Sequence, residues 1–237
     1  SPSGVVHIGN FREVITSDLV GRALMDRGKE VRFLYSWDDY DALRKVPANL
    51  PNQDLIQQNL RKALAQIPDP FGTEASYSLH FEKLFEKEIA QVGIFPEFIY
   101  QNQQYRKNVY AKGIKTAYLA QKEIAAILNQ YRTEPLADNW TCISIFCKIC
   151  NRDTTELKGF QEPSTFSYFC KACKKELTVD FEKEEGVKLL WRVDWPMRWA
   201  HEQVDFEPGG KDHSSQGGSF ETGAIIIRSV WKKEPPH

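Results

Sequence analysis

The sequence of 237 residues lacks both a strong net charge and a long apolar run. Its 31 basic and 32 acidic side chains give a net charge of −1, which excludes polyanion binding through an overall positive field. No apolar segment approaches the roughly 20 residues that span a bilayer, and no secretory leader pattern precedes a cleavage site. The sequence therefore predicts a soluble cytoplasmic protein with neither a membrane nor DNA as a partner.

Cysteine is scarce, and its spacing excludes a secreted disulfide framework. Four of the five cysteines form two CxxC pairs, Cys147 with Cys150 and Cys170 with Cys173. Two such turns can offer four thiolates to one tetrahedral ion, so the spacing predicts a structural Zn²⁺ site with no open position for catalysis. The other interpretation is four buried reduced thiols.

A bound zinc ion would hold residues 142 to 180 together as a ribbon, because this segment is too small to form a stable core by itself. Cys142 is the remaining thiol, and we expect it to be a buried residue of a strand. Lys171, Lys174 and Lys175 lie beside the second cysteine pair. Either contact with RNA phosphate or an ordinary solvated surface would explain them.

The first forty residues change from a helical to an extended pattern. Apolar residues recur at helical spacing after Asn10 and Gly28 follows them, so the sequence predicts a helix over 11–27 with Asn10 as its cap. The run at 31–37, uncharged after Arg32, is typical of a buried parallel strand, and the acidic "DDYD" comes next. This order predicts an open α/β sheet with ligands at its carboxyl edge.

The pattern then becomes helical from about residue 52 to residue 130, and we interpret its apolar stripes as packing faces. Strand signals return in "GVKLLWRVDW" at 186–195, so Trp191 is expected on a strand. A polar loop rich in glycine and serine occupies 207–219.

The opening segment "SPSGVVHIGN" puts His7, Gly9 and Asn10 at the predicted start of the first helix. The free amides of a helix N-terminus form a natural phosphate site, and Gly9 would allow a flat ring to approach closely. A simple helix cap preceded by a surface histidine explains the same residues.

Four blocks, in order, carry a resemblance to a known family. "SGVVHIGNFRE" resembles the HIGH signature of class I aminoacyl-tRNA synthetases, with Asn10 in place of the last histidine. The later blocks "WDDYDALRKVP", "RVDWPMRWA" and "VDFEPGGKDH" are similar to the class I lysyl-tRNA synthetases in particular. The resemblance extends over nearly the whole chain.

The resemblance implies an α/β fold, in which a Rossmann-type parallel-sheet catalytic domain is interrupted by a helical and zinc-ribbon insertion. Its parts would be residues 1–80 and 186–237 for the catalytic domain and residues 81–185 for the connective insertion. It also implies that lysine and ATP, with Mg²⁺, give lysyl-adenylate and pyrophosphate. A terminal hydroxyl of tRNA(Lys) would then accept the lysyl group.

The resemblance also implies roles for individual residues. His7 and Asn10 would be catalytic donors toward the charge that develops on the phosphates. The implied ATP-binding residues are Gly4, His7, Gly9, Asn10, Gly210 and Asp212. The implied lysine-binding residues are Glu13, Asp38, Trp191 and His213.

Within the lysine set, Asp38 would take the α-ammonium group and Glu13 the side-chain ammonium group. Glu13 could equally complement the helix dipole, and Trp191 could equally be a core residue. Asp212 and His213 also suit plain turn chemistry. Asp39 and Asp41 are expected to be solvated or to cap a loop.

Two features of the family are missing from the sequence, namely a strand before "SPSG" and a late loop of the KMSKS type. We therefore expect the chain to be a fragment of a longer enzyme. Two other functions remain open at this stage. One is a synthetase-like paralogue with another acceptor or a regulatory role, and the other is a non-catalytic zinc-ribbon scaffold that binds RNA.

Overall fold

The computed structural model describes residues 2–5 and 8–237. Helix α1 spans Ile8–Met25, and Gly28 at φ 73° lies in the turn that follows it. The helix begins before Asn10, so the prediction of Asn10 as its cap is wrong. Gly9 and Asn10 can both adopt helical backbone angles in a first turn, where amides need no partner within the helix. His7 lies outside the described residues.

A parallel pair of strands follows α1. Strand β1, Leu34–Trp37, pairs with β2, Glu97–Tyr100, in the register Leu34 to Glu97. The prediction of helical segments throughout about 52–130 is wrong at β2, because a four-residue strand between helices is too short to show a period of its own. The elements between the two strands are α2 (Gln53–Gln58), a 3₁₀ turn (Leu64–Gln66) and α3 (Tyr77–Gln91).

Helices α1 and α3 pack with β1 in one apolar cluster. Val14 from α1, Trp37 from β1 and Phe85 from α3 are all nearly inaccessible to solvent. Ser76 caps α3, since its Oγ accepts the N–H of Leu79 at 3.3 Å. This packing fixes the carboxyl end of β1, where the chain continues into Asp38 and Asp39.

The middle of the chain builds the largest core. Strand β3 (Ile143–Ile145) pairs antiparallel with β7 (Val187–Leu189), and Cys142 is fully buried directly before β3. The other elements of this region are α4 (Gln101–Arg106), α5 (Ala111–Leu119), α6 (Gln121–Asn129), β4 (Thr155–Gln161), β5 (Thr165–Cys170) and β6 (Lys175–Asp180). Strands β4, β5 and β6 form an antiparallel sheet in that order. The ribbon predicted from the cysteine spacing is therefore a three-stranded antiparallel sheet.

The last part of the chain is helical. Helix α7 spans Trp191–Glu202, so the prediction of Trp191 on a strand is wrong. Every residue from Val193 to Ala200 is buried, and a segment that is buried on all sides shows no helical period. The remaining elements are α8 (Lys211–Ser214), α9 (Ser219–Ile226) and a π-helical turn (Ile227–Trp231).

The described residues thus form a mixed α/β structure. Their only parallel pairing joins β1 to β2, so the wider sheet of the predicted Rossmann domain stays a prediction. The predicted boundary at residue 80 falls within α3, and β2 beyond it joins the parallel pair. No helix among residues 2–5 and 8–237 has the length and hydropathy needed to cross a bilayer.

Candidate active site and metal centre

The four cysteines of the two CxxC pairs come together in one cluster. Their sulfur atoms all lie within 4.8 Å of one another. The Sγ atoms of Cys147 and Cys173 are 3.9 Å apart, and those of Cys150 and Cys170 are 3.8 Å apart. Four sulfurs about 2.3 Å from a central zinc ion would lie about 3.8 Å from one another. The cluster therefore has the donor set and the dimensions of a tetrahedral metal site.

Backbone amides donate hydrogen bonds to two of the four sulfur atoms. The N–H of Ile149 donates to Cys147 Sγ, and the N–H of Cys173 donates to Cys170 Sγ, both at 3.4 Å. Burial by itself would raise the pKa of Cys147, but backbone donors outweigh it and lower that pKa to about 7. A thiol that ionises this readily is a good metal ligand.

The N-terminal loop is tied to helix α3. The Tyr77 hydroxyl donates to the Ser3 carbonyl oxygen at 2.6 Å, and the space around the Gly4 α-carbon is open on the side where a side chain would stand. Gly9 and Asn10 lie in the first turn of α1, with backbone amides at its N-terminal end. Three of the residues predicted to bind ATP therefore lie at or before the start of an 18-residue helix, namely Gly4, Gly9 and Asn10.

Asp38 follows β1 and meets helix α7. Its Oδ1 accepts Nη1 of Arg198 at 2.8 Å, and the same Nη1 donates to Ser36 Oγ at 2.9 Å. Burial acts to raise the pKa of Asp38, but nearby positive charges, Arg198 first and Lys188 among them, together outweigh it, so that pKa lies below the ordinary value. Asp38 is therefore ionised at neutral pH while 19% of its side chain is exposed.

Arg198 lies between two carboxylates. Its Nε is 3.3 Å from Oδ2 of Asp194, whose Oδ1 accepts the hydroxyl of Tyr105. Burial acts to raise the pKa of Asp194, against the charge of Arg198. We call Asp38, Asp194, Arg198 and Tyr105 the Asp38 cluster.

The neighbouring acids of the "DDYD" segment have structural partners. Asp39 is buried and its Oδ1 accepts the N–H of Asn102 at 2.7 Å, which caps the start of α4. Burial raises the pKa of Asp39 to about 7. Asp41 forms an ion pair with the buried Lys188 of β7. Asp38 differs from Asp41 in its partner, because its ion pair is with Arg198 of α7 and not with Lys188 of β7.

Aromatic rings border the Asp38 cluster on α7. Trp191 stacks on Trp195 with ring centroids 4.9 Å apart, and the guanidinium of Arg198 lies 5.5 Å from the Trp191 ring. His213 lies 6.2 Å from Trp191, and its Nδ1 is 2.7 Å from Ser219 Oγ. Trp191 and His213, both predicted to bind the substrate lysine, are therefore neighbours. Arg198 contacts both Trp191 and Asp38.

The glycine-rich loop approaches helix α1 at Gly210. A β-carbon at Gly210 would lie 3.2 Å from Oε1 of Glu13, so the absence of a side chain permits this approach. The charges of Asp38 and Glu13 both act on the Tyr35 hydroxyl, whose pKa is raised first by burial and then by these acids. Gly210 thus lies between Glu13 and His213, and contacts continue from His213 through Trp191 and Arg198 to Asp38. Asp212 lies exposed on the short helix α8.

Sequence reasoning missed Arg198, Asp194 and Tyr105. The signal was the spacing of Asp194 and Arg198, which puts an acid and a base on the same face of a helix. It was hidden because the segment from 186 to 195 resembled a strand throughout. Tyr105 gave no signal, since its partner Asp194 is 89 residues away.

Together these features define an α/β protein with a four-thiol cluster and an acidic site bordered by tryptophans. Over residues 1–237 the chain matches the family described as "tRNA synthetases class I (K)". The chain therefore belongs to that family, which confirms the resemblance carried by the four sequence blocks.

Several curated relatives bear the name lysine–tRNA ligase. The chain is 50% identical to the one from Borrelia garinii subsp. bavariensis and 47% identical to the one from Treponema pallidum, with all of this chain and 45% of each relative covered. It is 46% identical to the one from Thermococcus kodakarensis, with 98% of this chain and 44% of the relative covered. The chain thus spans about half the length of the curated relatives it matches.

Proposed function

We propose that the chain carries the amino-acid-activating part of a lysine–tRNA ligase. Lysine and ATP would react to lysyl-adenylate and pyrophosphate, and the 3′-terminal ribose of tRNA(Lys) would then take the lysyl group. The family match over residues 1–237 and the names of the relatives support this assignment. The observation that carries it is the pair of acids Asp38 and Glu13, which both act on Tyr35, with Asp38 held by Arg198 next to the Trp191 ring. A diamino acid requires such acidic partners and an apolar wall.

In this proposal Asp38 binds the α-ammonium group and Glu13 binds the side-chain ammonium group. Each desolvated ammonium needs an anionic partner, and these two carboxylates act on the same tyrosine from different elements. Trp191 would cover the aliphatic carbons of the substrate, and His213 would contact its polar end. Asp38 holds the reacting carboxylate in place indirectly, through the orientation of the bound amino acid.

The nucleotide would bind at the start of α1. Backbone amides at the N-terminal end of an 18-residue helix favour phosphate, and His7 with Asn10 would add donors where charge develops in the transition state. Gly4 and Gly9 would leave room for the nucleotide. Gly210 would bring its loop toward it, and Asp212 would hold the ribose. Mg²⁺ bound to ATP would supply further charge neutralisation on the phosphates.

Zinc is the metal we propose for Cys147, Cys150, Cys170 and Cys173, because four thiolates at tetrahedral spacing suit it. Its role would be structural, and the ribbon would lie within the connective insertion assigned to residues 81–185. We retain that division as a proposal, with β2 as the part of this range that joins the catalytic sheet. The proposed reaction belongs in the cytoplasm, where tRNA is charged.

Lysine-dependent exchange of pyrophosphate into ATP tests the proposal on the full-length protein. Exchange is expected with lysine and not with ornithine or arginine at equal concentration, in assays run with and without tRNA. Exchange supported by another amino acid and not by lysine would overturn the specificity. Transfer of lysine to tRNA(Lys) in the second step tests the acceptor.

A further inference from the structure

Arg198 holds the Asp38 carboxylate in a single orientation. Its Nη1 donates to Asp38 Oδ1 at 2.8 Å and to Ser36 Oγ at 2.9 Å, so a single nitrogen joins the last part of β1 to the residue that follows it. Ser36 Oγ is held in turn by Nε2 of Gln101 at 2.8 Å. Within the described residues no hydrogen bond reaches the other oxygen of Asp38, Oδ2. The carboxylate is therefore fixed through one oxygen and can offer the second to a ligand.

The charge of Arg198 would oppose an incoming ammonium group unless another acid balanced it. Asp194 supplies that balance, because its Oδ2 lies 3.3 Å from Nε and its side chain is buried. The charge of Lys188 also acts on both carboxylates, but Lys188 is itself paired with Asp41, so this second pair adds no net charge to the region. Two carboxylates around one guanidinium leave one negative charge over, which the ammonium group of a substrate can neutralise.

Tyr105 keeps Asp194 in its place. Its hydroxyl donates to Asp194 Oδ1, and its ring is buried and stacks on Tyr40 with centroids 5.5 Å apart. Asp194 therefore has one oxygen for Tyr105 and one for Arg198. A guanidinium suits the central position because it is planar, permanently charged and able to stack on Trp191 at 5.5 Å.

We propose that Arg198 is a positioning residue for amino-acid recognition. Together with Asp194 and Tyr105 it fixes Asp38 and preserves the surplus negative charge that receives the α-ammonium group of the substrate. This inference rests on the proposed function, in which Asp38 binds that group. Arg198 acts through Asp38 and need not touch the substrate.

The test measures ATP–pyrophosphate exchange by the full-length protein and three variants, Arg198→Lys, Asp194→Asn and Tyr105→Phe. Arg198→Lys loses a charged hydrogen bond to Asp38 and Asp194→Asn loses the balancing negative charge, and each change should raise the KM for lysine about tenfold. Loss of a neutral donor in Tyr105→Phe should raise it about threefold. The KM for ATP should change by less than about twofold in all three variants. General structural damage would instead weaken the binding of both substrates.

Arg61→Lys is the matched control. Arg61 also pairs with a carboxylate, Asp153, with Nε and Oδ1 2.7 Å apart, but it contacts no member of the Asp38 cluster in the described residues. This variant should leave both KM values unchanged. A rise in the KM for lysine as large as that of Arg198→Lys would overturn the proposal.

Two competitive inhibitors separate positioning from general damage to the site. Lysinamide keeps both ammonium groups of lysine, whereas 6-aminohexanoate lacks the α-amino group. Arg198→Lys should weaken the binding of lysinamide by the same factor as the binding of lysine, because the α-ammonium group of both compounds meets Asp38. The binding of 6-aminohexanoate, which has no such group, should weaken by less than about twofold. Equal weakening of the two inhibitors would overturn the proposal.

The outcomes also separate this inference from the proposed function. No lysine-dependent exchange by the wild-type protein, with or without tRNA, would overturn the proposed function and this inference with it. Exchange by the wild type with an unchanged KM for lysine in the variants would overturn the inference alone. Should Arg198→Lys fail to fold in a thermal melt, Asp194→Asn and Tyr105→Phe decide by the same criteria.

Discussion

The four-cysteine cluster and the Asp38 cluster are assembled over very different distances along the chain. Cys147 and Cys173, the outermost cysteines, are 26 residues apart, whereas Asp38 and Arg198 are 160 residues apart. The cysteine cluster depends on local turns that bring amides to sulfur. The Asp38 cluster requires β1 and α7 to pack correctly on the intervening core. The four-cysteine cluster can therefore form from neighbouring turns of the chain, whereas the Asp38 cluster forms only when the whole domain has folded.

Loss of a metal ligand gives the largest expected effect and tests the local side of this comparison. Cys147→Ser should reduce bound metal to well below one ion per chain and destabilise the ribbon by more than about 4 kcal/mol. Elemental analysis and limited proteolysis between residues 142 and 180 measure both effects. Cys142→Ala is the control, because this buried thiol is not in the cluster. Equal metal loss in both variants would contradict the assignment.

Replacement of the Asp38 carboxylate by an amide tests the Asp38 cluster, which is assembled from distant parts of the chain. Asp38→Asn keeps the size of the side chain and removes its charge, so the KM for lysine should rise about tenfold or more while the KM for ATP changes little. Asp212→Asn makes the same chemical change on α8 and should raise the KM for ATP instead. Steady-state exchange assays distinguish the two. A rise in the ATP constant alone in Asp38→Asn would remove Asp38 from the amino-acid site.

A buried acid beside the Asp38 region predicts a pH dependence of stability. Burial, with a contribution from the charge of Asp39, raises the pKa of Glu82 from 4.5 to about 8. The folded protein therefore keeps a proton that the unfolded chain has lost, so stability falls as pH rises from about 4.5 through about 8. The side chain that replaces Glu82 in a Glu82→Gln variant is neutral at every pH. The stability of this variant relative to the wild type should therefore be about 2 kcal/mol greater at pH 8.5 than at pH 5.

Thermal melts at the two pH values measure this effect. Glu88→Gln is the matched control, because Glu88 lies on the same helix α3 and is exposed. The control should show no such gain. A Glu82→Gln variant with the same pH slope as the wild type would show that Glu82 is not protonated in the folded protein.

The smallest expected effect concerns the loop before α1. Tyr77→Phe removes the hydroxyl that donates to the Ser3 carbonyl oxygen, so the loop loses one anchor and the KM for ATP should rise about threefold. Tyr118→Phe is the control, because the Tyr118 ring packs on Phe160 and Phe166 in the ribbon core. An equal change of the KM for ATP in the two variants would show that the Tyr77 hydroxyl has no specific effect on nucleotide binding.

Sequence reasoning succeeded where chemistry is local. The four-thiol cluster followed from the spacing of Cys147, Cys150, Cys170 and Cys173, and β1 followed from its apolar run into Asp38. It failed at Trp191 because α7 is buried on all sides and shows no period. It failed at Arg198 because the partners of a buried guanidinium come from β1 and from Asp194, and no pattern in a single segment marks such convergence.

Strand β7 joins the two regions that this comparison separates. It pairs with β3, which ends two residues before Cys147, and Leu190 leads directly from β7 into α7 with Asp194 and Arg198. Lys188 of the same strand forms an ion pair with Asp41, three residues after Asp38. The three residues of β7 thus connect the part of the chain that enters the ribbon to helix α7. Metal depletion is therefore expected to lower the affinity for lysine before helical content is lost.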